Sequence, residues 1–105
     1  MSYSILVYKK NEHSETIPCR DIPFAGMKTY REQHWPKIGA LGLTLVEKFR
    51  YGVSLTKPEL LQLIEEVIQL LNHTIDTRIQ ERLEFVITEL KLLRDTEDYE
   101  EIHIG

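Results

Sequence analysis

The sequence predicts one α+β domain, in which a helical hairpin of two long C-terminal helices and one or two further helices pack on a small antiparallel sheet. Three observations predict it. The first residues alternate in the manner of a strand, and the second half carries two long stretches with apolar residues at helical spacing. A chain of 105 residues suffices for one hydrophobic core but hardly for two. Residues 1–105 are therefore treated as a single domain.

The amino-terminal segment predicts a β-hairpin. Tyr3 to Tyr8 is rich in β-branched and aromatic residues and precedes a polar stretch, which is typical of a strand that runs into a turn. A second short strand is predicted around Glu15 to Cys19. It is placed at a sheet edge because Pro18 has no N–H to donate to a ladder. Pro23 is then expected to close an irregular connection.

The middle of the chain predicts short helices. From Gly26 the apolar residues follow steps of three and four, which indicates a helix over about residues 26–35. It is expected to stop near Trp35, because the residue before a proline avoids the α region. Leu41 to Phe49 fits a helix, which we prefer, although its first five residues also alternate like a strand. Gly52 is predicted to end this segment in the left-handed conformation.

Two long helices are predicted in the second half. Thr56-Lys57-Pro58-Glu59 matches a capping box, so the first helix begins there and runs to about Asn72. The second spans about Asp76 to Asp95, with Thr74 or Asp76 as its cap. The link between them is so short that the two helices are expected to be antiparallel neighbours.

Charge is unevenly distributed. Residues 1–57 hold nine Lys or Arg and five Asp or Glu, whereas residues 58–105 hold four and twelve, so the halves carry +4 and −8. This asymmetry indicates either packing between oppositely charged halves or an acidic face that attracts a basic partner. Asp95 to Glu101 alone carries five carboxylates. The alternating Ile102-His103-Ile104 that follows predicts a strand beside Tyr3 to Tyr8.

No enzyme, metal or cofactor signature is recognisable in the sequence. Metal sites need ligands at tight spacing, whereas the four histidines are spread along the chain: His13, His34, His73 and His103. Cys19 with His34 is the only thiol pairing that a nucleophile could use, and we expect Cys19 to be a small buried hydrophobe instead. Glu65 and Glu66 are expected on a solvated helix face. We therefore predict a non-enzymatic protein without a cofactor.

The location is expected to be the cytoplasm. The longest apolar run is Ile5 to Tyr8, far short of the roughly 20 residues that cross a bilayer, so no membrane partner is expected. The single cysteine suits a reducing compartment.

A nucleic-acid-binding regulator is the alternative. Basic and aromatic residues interleave over residues 28–51 and could hold phosphates and stack bases: Lys28, Tyr30, Arg31, Trp35, Lys37, Lys48, Phe49, Arg50 and Tyr51. The overall charge of −4 argues against a dominant electrostatic footprint, so nucleic acid is the less favoured partner.

One arrangement resembles a known family. Trp35-Pro36-Lys37-Ile38-Gly39, then Gly42-Leu43, then the stretch from Leu55 to Leu60 that leads into Ile64-Glu65-Glu66-Val67, is similar to the middle of small immunity proteins. These proteins neutralise bacterial polymorphic toxins, including those of contact-dependent growth inhibition, and the resemblance covers about a third of the chain. It implies a cytoplasmic, non-enzymatic inhibitor that binds a toxin domain and blocks its active site or substrate surface.

Taken together, the charge pattern and the resemblance predict that the acidic C-terminal half binds a basic protein, a toxin domain, which it captures quickly through electrostatic steering. Tyr99 is predicted to be the aromatic anchor. The carboxylates predicted to face the partner are Glu84, Glu89, Asp95, Glu97, Asp98, Glu100 and Glu101. Phe85 and Leu92, seven residues apart and off the main apolar stripe, could instead form a homodimer contact.

Overall fold

A computed structural model describes residues 2–96 and 98–105 of the chain as an α+β fold. Its strands are β1 (Ser2–Lys10), β2 (Thr16–Gly26), β3 (Val53–Leu55) and β4 (Glu101–Ile104). Its α-helices are α1 (Met27–Thr29), α2 (Trp35–Leu41), α3 (Thr44–Glu47), α4 (Lys57–Asn72) and α5 (Thr77–Thr96). A π-helical turn spans Tyr30–His34 and a 3₁₀ turn spans Lys48–Arg50.

The four strands form one antiparallel sheet in the order β2-β1-β4-β3. The predicted pairing of the chain's two ends is confirmed, since Val7 of β1 lies opposite Ile102 of β4. β3 was not predicted, because three residues are too few to show an alternating pattern. The sheet thus places the C-terminal strand between β1 and β3, and fixes where the acidic segment before it must lie.

The hairpin of β1 and β2 is longer than predicted. β2 does not end at Cys19 but continues to Gly26, so Pro23 lies within a strand and does not close an irregular connection. Pro18 and Pro23 are both tolerated because β2 is an edge strand, in which only one side is hydrogen-bonded to a neighbour. The register shifts between Tyr3 and Ser4 and between Val7 and Tyr8, next to the positions opposite the prolines.

The prediction that the helical segment after β2 stops near Trp35 is wrong, because α2 continues it to Leu41. Pro36 lies in the first turn of α2, directly after the π-helical turn, in which the Trp35 N–H donates to the carbonyl of Tyr30. Helix, and not strand, is the structure of most of the segment from Leu41 to Phe49. Gly42 and Gly52 have positive φ angles, 69° and 74°, and end the α2 and 3₁₀ segments in the left-handed region that glycine tolerates.

The predicted starts of both long helices are confirmed. At α4 the backbone N–H of Glu59 donates to Thr56 Oγ1 at 3.3 Å, and the N–H of Thr56 donates to Glu59 Oε1 at 2.9 Å. The hydrogen bond that the Thr56 backbone N–H donates to the Glu59 carboxylate lowers the pKa of that carboxyl. At α5, Asp76 Oδ1 accepts from the backbone N–H groups of Arg78 and Ile79.

The core joins the sheet to the long helices. α4 packs against α5, and α5 packs against β2. The buried side chains include Ile5, Val7, Ile22, Phe24, Ile102 and Ile104 from the sheet and Leu63, Val67, Leu70, Leu83, Val86 and Leu90 from α4 and α5. Among the described helices, none is both long and apolar enough to cross a membrane.

Candidate functional site: the acidic segment and the cleft beside it

The C-terminal acidic segment, residues 95–101, connects the end of α5 to the start of β4. The backbone N–H of Glu100 donates to the carbonyl oxygen of Tyr8 at 2.7 Å, which ties the segment to β1. Asp95, Asp98, Glu100 and Glu101 are exposed, whereas Tyr99 is half-buried and packs against the core. Glu97, also predicted to face a partner, lies outside the described residues. Four of the predicted carboxylates and the predicted aromatic anchor therefore lie on the connection between α5 and β4, and the carboxylates are open to solvent.

Three of these carboxylates already have partners within the chain. Glu100 lies 3.6 Å from Lys10 Nζ, and both side chains are about half exposed. Asp95 accepts a 2.9 Å hydrogen bond from the neighbouring Arg94, which lowers the pKa of Asp95. Glu101 accepts from the hydroxyl of Ser54 on β3. Exposed contacts of this kind contribute little to stability and exchange readily with water or a partner. They leave the segment available for binding.

Glu84 and Glu89 lie apart from the acidic segment, on the body of α5. Glu89 forms an ion pair with Arg20 of β2, and its side chain is only 16% exposed. It therefore joins the two oppositely charged halves, as does the contact between Lys10 and Glu100. Glu84 is exposed and forms no ion pair within residues 2–96 and 98–105. Basic residues of the amino-terminal half thus pair with some carboxylates of the acidic half, such as Glu89 and Glu100, and leave others, such as Glu84, exposed to solvent.

An apolar cleft of about 260 Å³ lies beside the acidic segment. The first turn of α4 meets the end of α5 there, and Leu61 leaves half of its surface exposed to solvent. The cleft is lined by Lys57, Pro58, Leu60, Leu61, Arg94 and Tyr99. Sequence reasoning missed it, because its residues come from three separate parts of the chain.

The basic-aromatic segment, residues 28–51, divides into buried and exposed parts. Tyr30 and Phe49 belong to the core, and the Tyr30 hydroxyl donates to the carbonyl of Val46 at 2.7 Å. Burial raises the pKa of that hydroxyl. Trp35 and Tyr51 are exposed, so only these two of the four aromatic residues could stack on a base.

Arg50 already occupies the exposed aromatic surface. Its guanidinium carbon lies 4.2 Å from the Trp35 ring centroid and 5.7 Å from that of Tyr51. Beside it is a cavity of about 390 Å³, lined by Tyr3, Met27, Tyr30, Arg31, Trp35 and Arg50. The cavity keeps the basic-aromatic alternative open, although a base would have to displace the arginine from Trp35.

Glu66 corrects an expectation about the polar face of α4. Predicted on a solvated face, it is 4% exposed. Its carboxylate accepts from the backbone N–H of Leu45 at 2.9 Å and of Val46 at 3.0 Å, and from Gln62 Nε2 at 2.8 Å. The carboxylate accepts from backbone N–H groups at the start of α3. The N-cap residue of α3, Leu43, makes no side-chain capping hydrogen bond of its own. The role of Glu66 is structural.

Cys19 and His34 lie in different surroundings, one exposed and the other buried. Cys19 is exposed on the edge strand, contrary to the expectation of a small buried hydrophobe. His34 is 1% exposed, packs against Phe24 and Tyr30, and its Nδ1 has no hydrogen-bond partner in the described part of the chain. Burial, together with the positive charge of Lys37, lowers the pKa of His34 to about 4. The ring is therefore neutral at pH 7.

Residues 2–96 and 98–105 contain no group of three or more His, Cys, Asp or Glu side chains that could hold a metal ion. Phe85 and Leu92 are each nearly half exposed on α5, so the homodimer contact stays a prediction.

The chain matches no family model, no curated protein and no solved structure. Its function is therefore inferred from its own residues and geometry.

Proposed function

We propose that the chain is a non-enzymatic, cytoplasmic protein-binding module of the immunity kind, which neutralises a bacterial toxin domain by covering its active site or substrate surface. The observation that carries this proposal is the position of the acidic segment beside the apolar cleft. The partner surface that fits is basic and presents at least one apolar side chain.

The combination matches the anatomy of protein interfaces, in which an apolar centre is surrounded by a polar rim. The cleft beside Tyr99 supplies the centre, since Leu61 and Pro58 can pack against a partner's apolar side chain. Asp98, Glu100 and Glu101 supply the rim. Two cations, Lys57 and Arg94, also line the cleft, but Arg94 is paired with Asp95. The excess of carboxylates favours a cationic partner and speeds its association.

In this proposal α4 and α5 act as an antiparallel helical hairpin that supports the site. The start of α4 and the end of α5 line the same cleft, which is what antiparallel neighbours joined by residues 73–76 would produce. Glu59 and Thr56 fix the first turn of α4 through the capping box, so the leucines of the cleft stand on a rigid element.

The gene neighbourhood gives the first test. Immunity proteins are encoded next to their toxins, so we expect the reading frame directly upstream to encode a large secreted protein. Production of that protein's C-terminal domain should arrest cell growth, and this chain should restore it. If the neighbouring gene encodes no toxin, or if the chain gives no protection, the immunity proposal is wrong.

A second test addresses the surface. The double charge reversal Asp98→Lys with Glu101→Lys should slow association with that toxin domain by about ten-fold or more at low salt. The matched control is Glu32→Lys with Glu81→Lys, which changes the net charge equally. Glu81 lies roughly 20 Å from Asp95 along α5, at about 1.5 Å per residue. Equal rates for the two double variants would remove the acidic segment from the interface.

The nucleic-acid alternative rests on the exposed Trp35 and Tyr51 with Arg50 between them. It predicts retention on RNA or heparin that is lost with added salt and with Trp35→Ala. No retention at low salt would refute the nucleic-acid alternative.

A homodimer through Phe85 and Leu92 predicts that the chain sediments as a dimer at high concentration and that Leu92→Glu dissociates this dimer. Sedimentation as a monomer would refute the homodimer.

A further inference from the structure

A second cleft, of about 190 Å³, lies at the opposite end of α5 from the acidic segment, between the end of β2, α1 and the first turns of α5. We refer to it as the arginine cleft. Its polar lining residues are Thr29, His34, Arg78 and Arg82, and its remaining lining is apolar or glycine. It shares no residue with the apolar cleft or with the acidic segment, so it is independent of the proposed function.

The two arginines of this cleft give it its positive charge. They are four residues apart on α5 and therefore lie on one face of the helix. Neither forms an ion pair within the described residues, although Glu81 stands between them in sequence. The guanidinium carbon of Arg82 lies 5.7 Å from the Phe85 ring centroid, and both arginines also line a neighbouring hollow together with Glu81 and Phe85. The lining of the arginine cleft carries two positive charges and no carboxylate.

His34 is the second, independent observation. It is almost fully buried at the wall of the cleft, and its Nδ1 makes no hydrogen bond in the described part of the chain. Buried polar atoms nearly always have a partner, because leaving one without a partner costs desolvation energy. A neutral imidazole has one N–H to donate and one nitrogen that accepts. A ligand in the cleft would supply the hydrogen-bond partner that the His34 ring lacks.

We propose that the arginine cleft binds a phosphate group, held by the guanidinium groups of Arg78 and Arg82, with the Thr29 hydroxyl and the His34 ring as the remaining polar contacts. Two guanidinium groups match a dianion better than a carboxylate, which would leave one positive charge uncompensated. The volume also fits one phosphate group. It is below the roughly 300 Å³ at which sites for whole small molecules begin.

The test is a titration of the full ¹⁵N-labelled chain with inorganic phosphate, followed by NMR at pH 7 and constant ionic strength. We expect saturable shifts at the backbone amides of Thr29, Arg78 and Arg82. Glycerol phosphate in a parallel titration distinguishes a phosphate ester from free phosphate, and acetate should bind at least ten-fold more weakly than either. Shifts that do not saturate, shifts spread over the surface, or equal binding of acetate would overturn the proposal.

Variants make the assignment specific. Arg78 and Arg82 are exposed, so Arg78→Gln and Arg82→Gln should leave the fold intact. Each substitution should weaken phosphate binding by about ten-fold or more, because each removes a charge-assisted contact. Lys91→Gln, which removes a cation from the same helix outside the cleft, is the matched control and should bind as the unaltered chain does. Retained affinity in both arginine variants, or an equal loss in the control, would show that general charge and not the cleft is responsible.

Discussion

Stability should depend on pH through His34. The ring is 1% exposed, and burial with the nearby charge of Lys37 lowers its pKa from 6.5 to about 4. The folded chain therefore binds a proton at His34 more weakly than the unfolded chain does. The His34 contribution to the free energy of unfolding is complete above pH 6.5 and is lost as the pH falls toward 4, because protonation then favours the unfolded chain.

The size of the effect follows from the two pKa values. Each pH unit between them changes the free energy of unfolding by about 1.4 kcal/mol, so the whole window amounts to about 3 kcal/mol. That is a large fraction of the 5–15 kcal/mol roughly typical of a domain. Below pH 4 this contribution stops changing, whereas carboxylates continue to titrate.

Urea unfolding at a series of pH values, followed by the fluorescence of the single Trp35, measures this dependence. Subtracting the free energy of unfolding of His34→Gln from that of the unaltered chain removes the carboxylate contributions common to both. The difference should be constant above pH 6.5 and fall by about 3 kcal/mol toward pH 4. A flat difference for His34→Gln would refute the inference that the ring is buried in its neutral form.

Three further predictions concern stability, each checked by urea unfolding at pH 7. Glu66→Ala leaves buried backbone donors without an acceptor and should cost about 2–4 kcal/mol, whereas exposed Glu65→Ala should change stability by less than about 0.5 kcal/mol. Thr56→Ala removes the capping hydroxyl of α4 and should cost about 1 kcal/mol; no loss would mean that the capping box is dispensable. Leu90→Ala should cost about 2–5 kcal/mol and Leu92→Ala much less, since only Leu90 is fully buried. Equal losses would contradict the orientation of α5.

The parts of the fold that could be predicted were those with strong local signals. The capping box at Thr56 and the Asp76 cap locate the long helices, because both are determined by side chains within one turn. The alternation at Ile102 to Ile104 gave the C-terminal strand. Pro36 and Pro23 were misread because the cost of a proline depends on its neighbours in space. In the first turn of a helix or in an edge strand that cost nearly vanishes.

The candidate site was predictable only in its charge. Residues 95–101 are acidic in any conformation, but the sequence does not show that Glu89 would turn toward Arg20 and leave the surface. Nor does it show that Leu61, Tyr99 and Arg94 would form a cleft beside the carboxylates. Glu66 has the helical position of a solvated residue and is nonetheless buried, because α3 packs over that part of α4. Such outcomes depend on tertiary packing, which local periodicity does not encode.

The proposal that the acidic segment is a partner surface is tested most directly by the rate at which the chain associates with its partner, which the proposal expects to be a toxin domain encoded by the neighbouring gene. The measurement is stopped-flow association over a range of salt concentrations. We expect the rate to fall steeply with salt for the unaltered chain, and to be at least ten-fold lower at low salt for Asp98→Lys with Glu101→Lys. A rate that is independent of salt and unchanged by this reversal would contradict the proposal.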